Sequence, residues 1–163
     1  VSALDAIADE LRRPVADLVL SMAWVDGRFT DAERAAVAGA ATSLGLVPLE
    51  FATHQAPRPL SEVGLESMPR SQGPLAYVSC AWIAMADGIE VPDESRLLDE
   101  LRERLDLDPQ RAAWLRAMAR RERMQTDRMH APRPWWREYD ALTVSAARWL
   151  VSGSEQPSWL TSS

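Results

Sequence analysis

Residues 21–46, SMAWVDGRFTDAERAAVAGAATSLGL, and residues 82–107, WIAMADGIEVPDESRLLDELRERLDL, are one passage written twice. A shift of 61 positions lays Asp26-Gly27 on Asp87-Gly88, Glu33 on Glu94, Leu44 on Leu105, Leu46 on Leu107 and Pro48 on Pro109. Each copy reads as an apolar helix stopped by Asp-Gly, a short turn, and a second helix opened by acidic residues. Glycine ends a helix readily because it reaches left-handed backbone angles without a steric penalty. In the first copy Thr30-Asp31-Ala32-Glu33 spells a capping box. In the second, Pro92 suits the first helical position, and Asp93 and Glu94 suit the positive end of the helix dipole. The fold class expected is all-α: a helical bundle with two pseudo-symmetric hairpins, 15–46 and 76–107.

The flanking segments extend the helical pattern. Leu4, Ile7, Ala8 and Leu11 share one face of a helix over 3–12, and Pro14 reads as the start of the next. Ala36, Val37, Ala40, Ala41 and Leu44 line the helix after Thr30, where Gly39 and its alanine neighbours permit close approach of another backbone. Between the copies, 54–74 is rich in proline and glycine, and Ser61–Met68 is expected to form one short helical turn carrying Leu60, Val63 and Leu65. Pro109 leads a helix to about Arg123 with Ala113, Trp114, Ala117 and Met118 inward. A last helix begins at Trp135 or Trp136 and runs to Val151. The organisation expected is a single domain over 1–151 and a frayed C-terminal tail, 152–163, with docking of Trp159 and Leu160 as an apolar latch as the alternative.

Composition narrows the function classes. With 47% apolar and 26% charged residues, the chain has a globular balance. No run reaches the roughly 18 apolar residues of a membrane span, and the first residues lack the basic-then-apolar order of a secretory leader. Cys80 stands alone in an apolar run, which fits a buried thiol in a reducing compartment, so a cytoplasmic location is expected. Residues 1–105 hold 17 acids and 9 arginines, a net of −8, and 106–163 hold 7 acids and 9 arginines, a net of +2. This acidic balance argues against a dedicated nucleic-acid-binding domain.

The pattern apolar–Asp-Gly–turn–Glu, closed by Leu-Gly-Leu, resembles the TerB-like family, known from a tellurite-resistance protein and from DnaJ-type co-chaperones. Val25-Asp26-Gly27 with Glu33 carries the first occurrence, and Ala86-Asp87-Gly88 with Glu94 the second. Leu44-Gly45-Leu46 matches the closing element, whereas Leu105-Asp106-Leu107 replaces its glycine, and Arg28 enters the first turn. The likeness covers about residues 5–120. It implies a helical interaction or adaptor module linked to metal or stress response. It also implies a metal-binding surface on Asp26, Glu33, Asp87 and Glu94.

The residues themselves leave three roles open for these acids. They cap helices, they hold a weak divalent cation such as calcium or magnesium, or they pair as the carboxylates of a metal-dependent hydrolase. An EF-hand is excluded, because its third loop position would be Arg28 in one copy and Ile89 in the other. His54 and His130 have no partner at ligand spacing, and no glycine-rich phosphate loop or nucleophile elbow is present. No catalytic residue is therefore assigned. Eight arginines fall within 111–137, where Arg133-Pro134-Trp135-Trp136-Arg137 interleaves guanidinium groups with large rings. Arg133, Trp135, Trp136 and Arg137 are the candidate contacts for a protein partner, with plain packing and anionic-ligand or nucleic-acid binding as alternatives. Trp135 and Trp136 are both expected at the surface, and Trp24 and Trp82 in the core.

Overall fold

The helix over Gly73–Ala84, GPLAYVSCAWIA, has no charged side chain and no polar stripe, and every one of its residues is buried. A segment apolar all round has no face to offer water, so the rest of the fold wraps it. The computed structural model describes residues 3–25, 27, 30–46, 65, 68–88 and 91–152. Among these, the helices are α1 (Ala3–Ala6), α2 (Asp9–Trp24), α3 (Asp31–Ser43), α4 (Gly73–Ala84), α5 (Pro92–Arg104), α6 (Pro109–Arg128) and α7 (Trp135–Ser152), and no strand occurs. Helix α4 packs against α2, α5, α6 and α7, with a smaller contact to α3; α3 lies along α7, and α1 is held on α7. Trp82, Tyr77, Tyr139, Leu18, Leu98 and Leu115 are all fully buried in one continuous core. Each large apolar side chain so placed contributes about 1.5–3 kcal/mol.

The 61-residue repeat reappears in the backbone. Gly27 donates to the Trp24 carbonyl as Gly88 does to that of Met85, and Arg34 donates to Thr30 as Ser95 does to Val91. At the close of the second helices, Leu46 donates to Ala41 and Leu107 to Arg102, while Gly45 donates to Thr42 and Asp106 to Glu103. Gly45 has φ +73°, and Asp106, standing in its place, takes φ +52°. Aspartate is one of the few non-glycine residues that visit this region, so the substitution preserves the left-handed end. The two hairpins are covered differently. Helix α3 buries Ala36, Val37, Gly39, Ala40, Ala41 and Ser43, whereas α5 buries only Glu94, Leu98 and Leu101.

Four sequence expectations are corrected. The chain breaks at Ile7–Ala8, not at Pro14, which lies inside α2. Proline there forfeits one hydrogen bond, yet the buried positions Leu11, Val15, Leu18, Val19 and Met22 stay in one helix. Helix α6 continues to Arg128 and turns Ala112, Leu115, Met118 and Ala119 inward, so Ala113 is exposed and Trp114 and Ala117 are half-buried. The alanine-rich stretch gives little moment to fix its rotation, and Leu115 decides it by entering the core. Trp135 is half-buried against Trp82 rather than at the surface, and Trp24 is half-buried at the edge of the core. Of the expected turn over 61–68, Leu65 is buried and its carbonyl accepts from the Met68 amide; Leu60 and Val63 lie outside the described residues. The tail latch of Trp159 and Leu160 also lies outside them.

Candidate functional site

Glu33 and Glu94 each sit at the third position of a helix and are each 2% exposed. The Thr30 amide and hydroxyl both donate to Glu33 Oε1, at 3.4 and 2.9 Å, and the Glu33 amide donates back to Thr30 Oγ1 at 3.1 Å. This is a complete capping box. In the second copy the Val91 amide donates to Glu94 Oε2 at 3.2 Å. Valine has no hydroxyl to reciprocate, so only that half of the box forms there. Asp87 is exposed at its turn, and Asp26 lies outside the described residues. Among the described residues no three His, Cys, Asp or Glu side chains gather as a metal cage.

The second candidate region, where α6 meets α7, is built around a carboxylate that is not among the sequence-predicted site residues. Glu138, in the first turn of α7, is fully buried. It accepts the indole N–H of Trp82 at 2.5 Å, and Arg123 Nη1 donates to both of its oxygens, at 2.9 and 3.1 Å. The other guanidinium nitrogen of Arg123 reaches Asp127 at 2.7 Å, and the group lies 4.3 Å from the centre of the Trp135 ring. Trp135 meets Trp82 edge-on at 5.9 Å, and Trp82 is 5.1 Å from Tyr139. The single Ser79 hydroxyl proton goes to the Leu75 carbonyl, so in the 2.7 Å contact between Tyr139 and Ser79 the phenol is the donor. Burial pushes the Tyr139 phenol up, against a smaller lowering by the Ser79 hydrogen bond, and burial pushes the Cys80 thiol up as well. Neither group is poised to ionise. The sequence signal for Glu138 was its spacing, three and four residues from Trp135 and Leu142, which puts it on the buried face of α7.

Of the four partner-contact candidates, two are held inside this corner. Arg133 donates to Glu122 Oε2 at 3.0 Å and to Thr126 Oγ1 at 2.7 Å, with a side chain only 20% exposed. Trp135 lies between the Arg123 guanidinium and Trp82. Trp136 and Arg137 are exposed, with the guanidinium of Arg137 5.3 Å from the Trp136 ring centre. Met124 and Met129, on the last turns and cap of α6, are also exposed. Trp114 and Trp149 pair edge-on at 5.8 Å between α6 and α7, as sealing residues. His130 is exposed, and His54 lies outside the described residues. No helix among the described residues is long and apolar enough to cross a membrane. Compared with known protein families, characterised proteins and solved structures, the chain matches none.

Proposed function

We infer that the chain is a non-enzymatic interaction module of the TerB-like kind that engages a protein partner through the exposed part of the α6–α7 corner. The observation that carries this reading is the division of labour there. Arg123, Arg133 and Trp135 are tied into the fold, while Trp136 and Arg137 stand outside it. Tryptophan and arginine are among the residues enriched in protein-contact hot spots. The rigid network beneath it limits the ordering cost of binding. The link to metal or stress response rests on the motif resemblance alone, and a cytoplasmic setting on the lone Cys80 thiol. The use of Glu33 and Glu94 as caps favours the adaptor over a paired-carboxylate hydrolase.

Chemical crosslinking in native cells tests the reading. A protein crosslinked to the wild type is expected to be lost from the Trp136→Ala/Arg137→Glu variant, with the melting temperature unchanged. Identical crosslinks from both forms would overturn it.

The same reading makes the turns weak cation sites at most. Calorimetric titration of chelator-treated protein with calcium, magnesium, manganese or zinc is expected to give a Kd on the order of 10⁻⁴ M or weaker, since each turn offers few carboxylate oxygens. Any binding should fall more with Asp87→Asn than with Asp26→Asn, because Glu90, Asp93 and Glu94 surround Asp87 in sequence while Arg28 shares the turn of Asp26. Submicromolar affinity would show that these acids form a dedicated metal site.

A further inference from the structure

Helices α5 and α6 both rest on α4 and make little contact with each other. The gap between them is a cleft of about 390 Å³ lined by Tyr77 of α4, Asp99 and Arg102 of α5, and Ala112, Ala113, Arg116 and Arg120 of α6. On α6 the lining residues recur at one-turn intervals from Pro109 to Arg120, so one stripe of the helix alternates methyl groups with guanidinium groups. The lining holds three arginines and one carboxylate, Asp99 and Arg102 on the α5 wall and Arg116 and Arg120 on the α6 wall, a formal charge of about +2 in a chain whose net charge is −6. Arg116 and Arg120 are spaced i,i+4, an arrangement in which like charges repel by about 0.2–0.5 kcal/mol. Arg120 forms no ion pair with any described residue, whereas Arg102 meets Glu103 at 3.8 Å and donates to the Leu107 carbonyl at 3.4 Å, and Arg116 makes an interaction of its own.

We propose that this cleft binds a small organic phosphate monoester, with Arg102, Arg116 and Arg120 holding the phosphoryl group and the organic part lying against Pro109, Ala113 and Ala117. Charge selects the ligand head: a phosphate monoester carries about −1.5 to −2 at neutral pH, which the cleft's excess neutralises. Geometry selects it too, since planar guanidinium groups meet phosphoryl oxygens in bidentate fashion. Volume selects the size. The cleft lies toward the small end of the roughly 300–1,000 Å³ spanned by small-molecule sites, which is too short for a tract of nucleic acid or an extended acidic peptide. The α6–α7 partner surface does not enter into this proposal.

The experiment is an NMR titration of the full chain with phenyl phosphate, with inorganic phosphate and with phenol, at about 0.15 M salt to screen diffuse attraction. Phenyl phosphate is expected to shift the amides of 112–120 saturably, with a Kd on the order of 1 mM or tighter. Inorganic phosphate should move the same amides more weakly, and phenol alone should not. Arg116→Gln/Arg120→Gln is expected to weaken binding by about tenfold or more. Ala113→Leu, which fills an exposed floor position, should weaken phenyl phosphate more than inorganic phosphate. Arg111→Gln is the control, because Arg111 lies 5.5 Å from the Trp149 ring and outside the cleft. The proposal is overturned if no saturable shift appears by about 20 mM ligand, or if the Arg111 variant loses as much affinity as the double variant. It also fails if a single-stranded oligonucleotide or acidic peptide occupies the cleft and phenyl phosphate does not compete.

Discussion

Replacing Arg123 by Ala is expected to lower the free energy of unfolding by about 3–5 kcal/mol, because it leaves a carboxylate buried without its counter-charge. Glu138 is fully buried, the Arg123 side chain is only 13% exposed, and water therefore does little to screen the pair. In the absence of Arg123, Glu138 keeps the Trp82 indole N–H, a single neutral donor for a full negative charge. The stack on Trp135 is lost at the same time. Arg123→Lys should not rescue it fully: an ammonium group is a point charge and cannot span both Glu138 oxygens, reach Asp127 and cover an indole face together. The double variant Arg123→Met/Glu138→Gln should recover most of the loss, since the buried charge is gone and the glutamine carbonyl still accepts from Trp82. Urea unfolding followed by circular dichroism reads all three. A loss below about 1 kcal/mol for Arg123→Ala would mean that the pair behaves as a solvated surface bridge.

Helix α3 and the start of α7 are equally exacting, for a steric reason. A Cβ built on Gly39 would stand 2.6 Å from Trp135 Cβ, 2.9 Å from the Trp136 amide nitrogen and 3.0 Å from the Trp135 carbonyl carbon. These are backbone atoms and a Cβ, so no side-chain rotation relieves the contact. Ser43 Oγ donates to the Trp136 carbonyl at 2.7 Å one turn further on, which pins the two helices at that separation. Gly39→Ala gains about 1 kcal/mol of helix propensity, but overpacking of this kind costs about 1–3 kcal/mol, so a net loss is expected. Gly39→Leu is expected to lose about 3 kcal/mol or more, with α7 displaced from α3. The same displacement moves Trp136, so crosslinking at the α6–α7 corner should fall alongside stability. Thermal unfolding with Gly39→Ala more stable than the wild type would show that the helices part without strain.

Local pattern made much of this architecture legible. The turn glycines Gly27 and Gly88, the Thr30 capping box, Pro92 at the head of α5 and Pro109 at the head of α6 are decisions taken within one helical turn, and the structure keeps each. The repeat was legible for the same reason: caps and left-handed residues recur in the same register, and Asp106 takes the backbone angle of the glycine it replaces. Gly39 among alanines announced a close helix contact, though not with which helix.

Tertiary structure decided what depends on which faces meet. Pro14 stays inside α2 because a continuous buried face outweighs one missing hydrogen bond. Arginines in 111–137 look alike in sequence, yet Arg123 and Arg133 are internal ties, Arg137 is exposed, and Arg116 and Arg120 line a cleft. That sorting follows from the rotation of α6, which Leu115 fixes by entering the core, and from a partner helix carrying Glu138 that no local rule places opposite Arg123. Sequence determined where helices start, stop and repeat, because those free energies are local. Which charges pair, which tryptophans are covered and where a gap remains are set by contacts between residues far apart in the chain, and those exist only once the helices have packed.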